Sequence, residues 1–206
     1  HSLSARMHDA KLVKQKATLS ARSRMMEEIA THRELSFSAP VSGVLNRHDF
    51  IYLRRGDMRQ ESNVMTGEHS GCHIKLFDYS HTAAPDYYTE HHHTLIILRP
   101  QAENVQLPDL VITSGNYLER YLVGLEEMDT PELLAQLRHY RVYRSPEGPD
   151  PQAIVQRLLP FLQANPGLYI EIQDNAVLIF HPGQDLETEQ GVQKLFALGA
   201  EFCAGS

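Results

Sequence analysis

Histidine is the residue type best placed to do chemistry in this chain, and it is concentrated in one stretch. His91 and His93 are two positions apart, so they share one face of a β-strand. The strand before them is predicted to place the carboxylate of Asp78 across from His93. Two imidazoles and a carboxylate can bind a divalent metal, and an open fourth position would permit hydrolysis. The sequence therefore predicts a metal site at His91, His93 and Asp78.

The same stretch also has a purely structural interpretation. The end of a hairpin could expose Glu90 to His93, while Asp78 accepts backbone N–H bonds from the following turn and stabilises that hairpin. We favour this role for Asp78, and it assigns no catalytic residue and no cofactor. Either interpretation depends on strand register, because a shift of one residue exchanges all cross-strand partners.

A second group of candidate residues is basic. Arg54, Arg55 and Arg59 surround Gly56, and arginines beside a glycine turn can bind an anion such as phosphate or a lipid headgroup. Surface arginines are more often solvated or paired with carboxylates. Anion binding by these three arginines is therefore kept as an alternative function.

A third group is aromatic. Tyr87 and Tyr88 lie in the loop that follows the central strand, and tyrosine is enriched in binding surfaces. The sequence predicts that both contact a protein partner. Tyr79 could join them or be buried.

The elements that position these residues are predicted from turn signals and alternation. Residues 62–100 read as a three-stranded antiparallel meander. Gly67 and Gly71 bound its first turn, and residues 83–86 form the tip of the second. The meander is predicted to be the centre of the fold.

Helices and a hairpin are predicted around this meander. Residues 4–34 lack proline and glycine and read as one long helix or two abutting helices. Asp150-Pro151 opens a helix that Pro160 should kink or divide. Asp174-Asn175 joins two strands in a tight hairpin. The predicted fold class is α+β: an antiparallel sheet with helices packed on one side and a long N-terminal helix.

Charge divides the chain into two regions. Residues 1–24 carry six basic side chains and one acid, a net +5, so residues 25–206 carry −12 of the total of −7. An acidic body is unsuited to nucleic acid. The basic arm, in a chain that starts with histidine, is what would follow a removed membrane anchor. We predict a single domain over residues 25–206, or two subdomains at 25–145 and 146–206.

The cysteines and the hydropathy point to an ordinary globular domain. No run reaches the roughly 18 apolar residues that span a bilayer. Cys72 and Cys203 form no spacing motif, so both thiols are expected to be reduced, in a cytoplasmic setting.

Several short motifs carry a resemblance to a known family. They are Arg-Arg-Gly at 54–56, Asn-Val-x-x-Gly at 63–67, Gly71, Phe-Asp-Tyr at 77–79, Thr82, Tyr-Arg-Val at 140–142, Pro-Gly-Leu at 166–168 and His-Pro-Gly at 181–183. Over residues 25–202 the chain resembles a broad bacterial family of uncharacterised membrane-anchored proteins. The resemblance implies a domain that follows one or two transmembrane segments, and it supplies no catalytic residues.

These observations lead to one expectation and two alternatives. The expected function is a non-enzymatic, membrane-tethered module that faces the cytoplasm and binds a protein partner. The alternatives are a metal-dependent hydrolase that uses His91 and His93, and a binder of anions or lipid headgroups.

Overall fold

A computed structural model describes residues 21–38, 49–83, 86–114, 122, 124–184 and 188–205, with backbone alone at 83, 86–89 and 205. The elements in chain order are α1 (21–32), β1 (Ser36–Ser38), a 3₁₀ turn (Tyr52–Arg54), β2 (Asp57–His69), β3 (Cys72–Ala83), β4 (Asp86–Pro100), β5 (Leu110–Thr113), β6 (Glu126–Glu127), α2 (Pro131–Leu137), β7 (Arg141–Arg144), α3 (Gln152–Ala164), β8 (Tyr169–Gln173), β9 (Ala176–Phe180) and α4 (Glu189–Gly205).

The described strands form one nine-stranded sheet in the order β1-β2-β3-β4-β9-β8-β5-β7-β6. Every pairing between neighbours is antiparallel. The predicted α+β class with an antiparallel sheet is therefore confirmed. Strands from both sides of residue 146 alternate within this sheet, since β9 and β8 lie between β4 and β5.

The central meander is longer than its turn signals suggested, since it begins at Asp57. Gly67 does not begin a turn, because β2 continues to His69. The first turn is Ser70-Gly71, where both residues have positive φ (52° and 80°), as a two-residue hairpin turn requires. The second turn lies between Ala83 and Asp86, as predicted.

Half of this meander extends beyond the strands that flank it. Among the described residues, β9 pairs with β4 only at Ile96–Leu98, and β1 pairs with β2 only at Val64–Thr66. We call the three strands β2, β3 and β4 the ribbon. Its tip is the end at which Asp57 pairs with Thr82.

Two buried apolar clusters hold the sheet, one on each face. The first takes even-numbered side chains of β3 and β4, such as Leu76 and Ile96, together with the buried residues of α1, α2, α3 and α4. The second takes Phe77, Leu95 and other odd-numbered side chains, together with Tyr52 from the 3₁₀ turn. Strand alternation produces this division because neighbouring side chains point to opposite faces. The packing of helices on one side remains a prediction.

The helix predictions have mixed outcomes. Helix α1 covers residues 21–32, and the predicted helix over residues 4–20 lies outside the described residues. Helix α3 begins after Pro151 and is not divided at Pro160. The tight hairpin at Asp174-Asn175 is confirmed, with φ values of 52° and 64°. No helix in the described part of the chain is long and apolar enough to cross a membrane.

The expectation of two reduced thiols was wrong. Cys72 and Cys203, 131 positions apart in sequence, form a disulfide with a Cα–Cα distance of 6.3 Å. It joins the start of β3 to the last turns of α4. The same helix packs closely on β4, where a Cβ on Gly199 would come within 3.1 Å of both Ile96 and Leu98. Sequence spacing could not predict the bond, because the two cysteines lie on elements that are adjacent only in the tertiary structure.

Candidate functional site

The register of β3 and β4 differs by one residue from the predicted register. Asp78 pairs with Thr94, and His93 pairs with Tyr79. The prediction that Asp78 lies across from His93 was therefore wrong. Because a strand alternates its faces, Asp78 lies on the α1 side of the ribbon, whereas His91 and His93 lie on the opposite side. The three proposed metal ligands do not converge.

On the α1 side, Asp78 is the centre of a polar network. Arg22 of α1 donates from Nε to one carboxylate oxygen of Asp78 and from Nη2 to the other, both at 2.8 Å. Thr94 on β4 donates to Asp78 at 2.9 Å and accepts from Arg22 at 3.0 Å. On β2, the Asn63 side chain donates to Asp78 at 2.9 Å and accepts from Ser23 at 2.8 Å.

This network fixes α1 to all three strands of the ribbon. A two-point arginine–carboxylate pair is both directional and strong. Asn63 adopts a positive φ of 50°, a conformation that asparagine tolerates better than most residues. The role of Asp78 is thus to hold a helix, through side chains rather than through the backbone of a turn.

The opposite side of the ribbon carries a histidine and aromatic cluster. His81 pairs directly with His91 across the strands, and their rings stack with centroids 5.2 Å apart. The Tyr52 ring lies 6.1 Å from that of His81 and 5.9 Å from that of His93. Phe180 of β9 packs on His93 at 5.2 Å. His81 replaces Asp78 as the neighbour of the two predicted histidines.

The surroundings of His81 and His93 favour the neutral form of each imidazole. Burial, followed by the nearby charge of Arg55, lowers the pKa of His81 to about 4. Burial and the neighbouring His91 lower the pKa of His93 to about 4. The Nδ1 atom of His81 has no hydrogen-bond partner among the described residues. No group of three histidine, cysteine or acidic side chains within those residues is positioned to hold a metal ion.

A buried glutamate on β8 anchors the segment that covers this cluster. Glu171 is fully buried and accepts hydrogen bonds from the backbone N–H of Ile51, from that of Tyr52 at 3.2 Å, and from the Tyr169 hydroxyl at 2.7 Å. Burial raises the pKa of Glu171, although these three donors oppose the shift. The sequence analysis missed this residue because nothing in the pattern Tyr-Ile-Glu-Ile-Gln marks its glutamate as inward-facing.

The three candidate arginines do not form one exposed patch. Arg55 is buried, with its guanidinium carbon 5.3 Å from the centroid of the Tyr52 ring. Arg59 is half-buried and donates to the Leu53 carbonyl at 3.3 Å, while Arg54 is exposed. Anion binding by all three together is therefore not supported by their placement. Arg54 and Arg59 remain on the surface beside the tip.

The candidate tyrosines divide in the same way. Tyr79 is buried, donates to the Leu53 carbonyl at 3.1 Å, and has its pKa raised to about 12, chiefly by burial. The backbone of Tyr87 and Tyr88 lies in β4 near the tip, and their side chains are outside the described part of the structure. Their predicted contact with a partner stays a prediction.

Comparison with known proteins gives one match, and it concerns the fold. No known family matches the sequence, and no curated protein matches it either. A crystal structure of the mycobacterial trehalose monomycolate transport factor A, TtfA, is similar, with a TM-score of 0.54 and 13% sequence identity. The alignment covers 89% of this chain and 95% of that chain. At this identity the similarity establishes a shared fold alone.

Proposed function

We propose that this chain is a non-enzymatic protein-interaction domain, tethered to a membrane by a segment before α1, that offers the open edge of β4 to a protein partner. The observation that carries the proposal is the unequal length of neighbouring strands. Within the described residues, β4 pairs with β3 at Asp86 and at residues 90–100, but it pairs with β9 on its other side only at Ile96–Leu98. Among those described residues, no strand lies beside the second edge of β4 at residues 90–95.

An open edge is a natural site for adding a partner's strand. Its unpaired N–H and C=O groups supply main-chain hydrogen bonds, and alternate side chains supply specificity. Glu90, His91 and His92 are exposed along this edge, and Glu90 pairs with His92 at 3.4 Å. Such polar side chains keep an edge soluble in the absence of its partner.

The membrane part of the proposal draws on both the sequence and the fold. Residues 1–24 are basic, as is common for a segment next to an anchor, and the motifs resemble a membrane-anchored family. The network around Arg22 and Asp78 fixes α1 to the ribbon, so a tether attached to α1 would orient the whole sheet. The fold is shared with TtfA, which is named a trehalose monomycolate transport factor. A role in a transport assembly follows by analogy.

Two physical arguments lead to opposite conclusions about the side of the membrane on which the domain lies. Basic residues next to an anchor favour retention in the cytoplasm. A disulfide between Cys72 and Cys203 favours an oxidising compartment. The redox state of these cysteines in cells decides between the two sides.

The metal-dependent hydrolase is not supported, because its three predicted ligands lie apart. Asp78 is on one face of the ribbon, and His91 and His93 are on the opposite face. We do not propose it further. The anion-binding alternative is now limited to Arg54 and Arg59, because Arg55 is buried.

A matched pair of photo-crosslinking positions tests the interaction. A photoreactive residue at His92, on the open edge of β4, is compared with one at His73, which lies on β3 at the opposite end of the ribbon. The side chains of His92 and His73 are 55% and 61% exposed. In cells that make the full-length protein, we expect one defined membrane-protein adduct from position 92 and none from 73. Equal adducts at both positions, or none at position 92, would contradict the binding of a partner at the open edge of β4. Release of the full-length protein from membranes by alkaline carbonate would contradict the tether.

A further inference from the structure

The chain that follows β9 turns away from the open edge of β4. Phe180 is the last residue of β9. The Nε2 atom of His181 then donates to the Pro166 carbonyl at 3.1 Å, and Pro166 precedes β8, which lies on the other side of β9. Among the described residues, the edge of β4 at residues 90–95 is therefore left to a strand from elsewhere.

An acid and a histidine occupy this edge in a fixed order. Glu90 and His92 are two positions apart on β4, so they share a face, and Oε2 of the first lies 3.4 Å from Nε2 of the second. Thr94 follows on the same face and accepts from Arg22, so this is the face that α1 covers. Both Glu90 and His92 are exposed. His91, between them, lies on the opposite face.

A strand with this order is complementary to a second copy of itself. In an antiparallel pair of identical strands, a two-fold axis perpendicular to the sheet places residues at equal distances from the axis opposite one another, on one face. An axis at His91 places each Glu90 across from His92 of the second copy. An axis at Glu90 would oppose two carboxylates, which is destabilising, and one at His92 would leave Glu90 across from Thr94. The order of these side chains therefore selects the register centred on His91.

We infer that the partner at the open edge is a second copy of this chain, joined by an antiparallel β4–β4 ladder whose two-fold axis passes between the two His91 residues. This inference rests on the proposed function, because it names the occupant of the same edge. At the centre of the ladder, two carboxylates and two imidazoles alternate. Each Glu90 has one His92 beside it on its own strand and another across the ladder. An imidazole N–H donates to a carboxylate whether the ring is neutral or protonated.

The symmetry agrees with a tether on each copy. A two-fold axis perpendicular to the sheet keeps the same face of both copies on one side, so both α1 helices lie on one face of the joined sheet. Ser23, near the start of α1, contacts Asn63, whereas Leu35, just after the helix, packs on Gly67. Helix α1 and strand β2 therefore run in the same direction, and α1 begins at its end nearer the ribbon tip. Two tethers attached to α1 would thus reach one membrane from the same side of the dimer.

Helix α1 leaves the ladder accessible within the described part of the chain. Its side chains contact Asp78 on β3 and Asn63 on β2, which are one and two strands away from β4, about 5 and 10 Å at the usual strand spacing. Its contact with Thr94 is three residues from His91, about 10 Å along the strand. The described part of α1 therefore lies to one side of the axis.

The contact is small, so it depends on the tether. One strand edge offers less surface than the roughly 800 Å² per partner that a standard interface buries. We therefore expect the untethered domain to be monomeric in solution. Two copies in one membrane have a raised local concentration, which favours a weak contact without any new interaction.

Cysteine crosslinking of the full-length protein in phosphatidylcholine vesicles tests the ladder. Cys72 and Cys203 are bonded to each other, so one introduced cysteine supplies the free thiol. Residues directly opposite in an antiparallel pair have Cα atoms about 4.5–5.5 Å apart, a separation that suits a disulfide. With diamide as the oxidant, we expect His91→Cys to give about fivefold more covalent dimer than His73→Cys, whose position is at the opposite end of the ribbon and has no counterpart across the axis.

Two further comparisons isolate the register. Glu90→Cys and His92→Cys proteins mixed in the same vesicles should crosslink with each other more than either does alone, because the axis at His91 opposes position 90 to position 92. In the His91→Cys protein, Glu90→Lys should lower the dimer yield about threefold, because it removes the carboxylate across from His92. Addition of His92→Glu restores the alternation of charge and should restore the yield.

The outcomes separate this inference from the proposed function. Equal dimer yields from His91→Cys and His73→Cys would overturn the ladder, since random collision gives that result. A yield that Glu90→Lys leaves unchanged would overturn the register. No dimer at position 91, with a photo-crosslinked adduct of a different protein at position 92, would overturn the second copy and leave the open edge as a binding site. No adduct of any kind at position 92 would overturn both proposals.

Discussion

Arg22 and Asp78 form a two-point salt bridge across 56 positions of sequence, with both N–O distances at 2.8 Å. Their side chains are 14% and 18% exposed, so the pair is shielded from much of the solvent. Thr94 and Asn63 satisfy the remaining hydrogen-bonding capacity of the carboxylate. This pair connects α1 to the middle strand of the ribbon.

Removal of either partner should loosen α1. We expect Asp78→Asn to lower the free energy of unfolding by about 2–3 kcal/mol, because Arg22 would lose the counter-charge of Asp78 at a site that is shielded from much of the solvent. Urea denaturation measures this. Arg157→Gln, which changes an exposed arginine on α3, should have an effect below about 0.5 kcal/mol. A double-mutant cycle of Asp78→Asn and Arg22→Gln measures the coupling energy between the two residues. A coupling energy of zero would contradict the central role of the pair.

The histidine cluster predicts a dependence of stability on pH. His81 and His93 have pKa values near 4 in the folded protein, below the ordinary value of 6.5. The unfolded chain therefore binds protons first as the pH falls. The stabilisation from neutral imidazoles is complete above pH 6.5 and is lost progressively between about pH 6.5 and 4.

Urea midpoints measured across this range test the effect. The His81→Phe/His93→Phe variant keeps the ring packing and removes both titrating groups, so its curve should be flatter than that of the wild type. A wild-type slope that survives in the double variant would mean that other groups cause it.

Loss of the disulfide should destabilise the domain without abolishing its fold. The bond closes a long loop, and its removal by Cys203→Ser is expected to cost about 2–5 kcal/mol. Helix α4 should remain docked, since Val192, Leu195 and Phe196 are fully buried against the sheet side chains. A reducing agent should lower the wild-type midpoint and leave the Cys72→Ser/Cys203→Ser variant unchanged. Equal midpoints of reduced and oxidised wild type would contradict the prediction.

The same two cysteines report the compartment. Rapid acid quenching of cells, followed by thiol alkylation before and after reduction, gives the oxidised fraction of the full-length protein. A fully oxidised pair would place the domain in an oxidising compartment. A fully reduced pair would agree with the basic flank and place it in the cytoplasm.

Local patterns predicted much of the fold. Alternation and turn residues predicted the three-stranded meander, the hairpin at Asp174-Asn175 and the antiparallel α+β class. Proline and aspartate placed the start of α3. These features depend on residues that are close in sequence, and backbone geometry alone relates such residues to a shared face or turn.

The sequence by itself determined which side chains share a strand face, and so it grouped His91 with His93. Only the tertiary structure decided which partners they meet, because one residue of register moves Asp78 to Thr94 and brings His81 to His91. The bond between Cys72 and Cys203, the pairing of Arg22 with Asp78 and the burial of Glu171 were also decided at that level. Each joins segments that approach only when the sheet and its helices pack, and no local pattern encodes that approach.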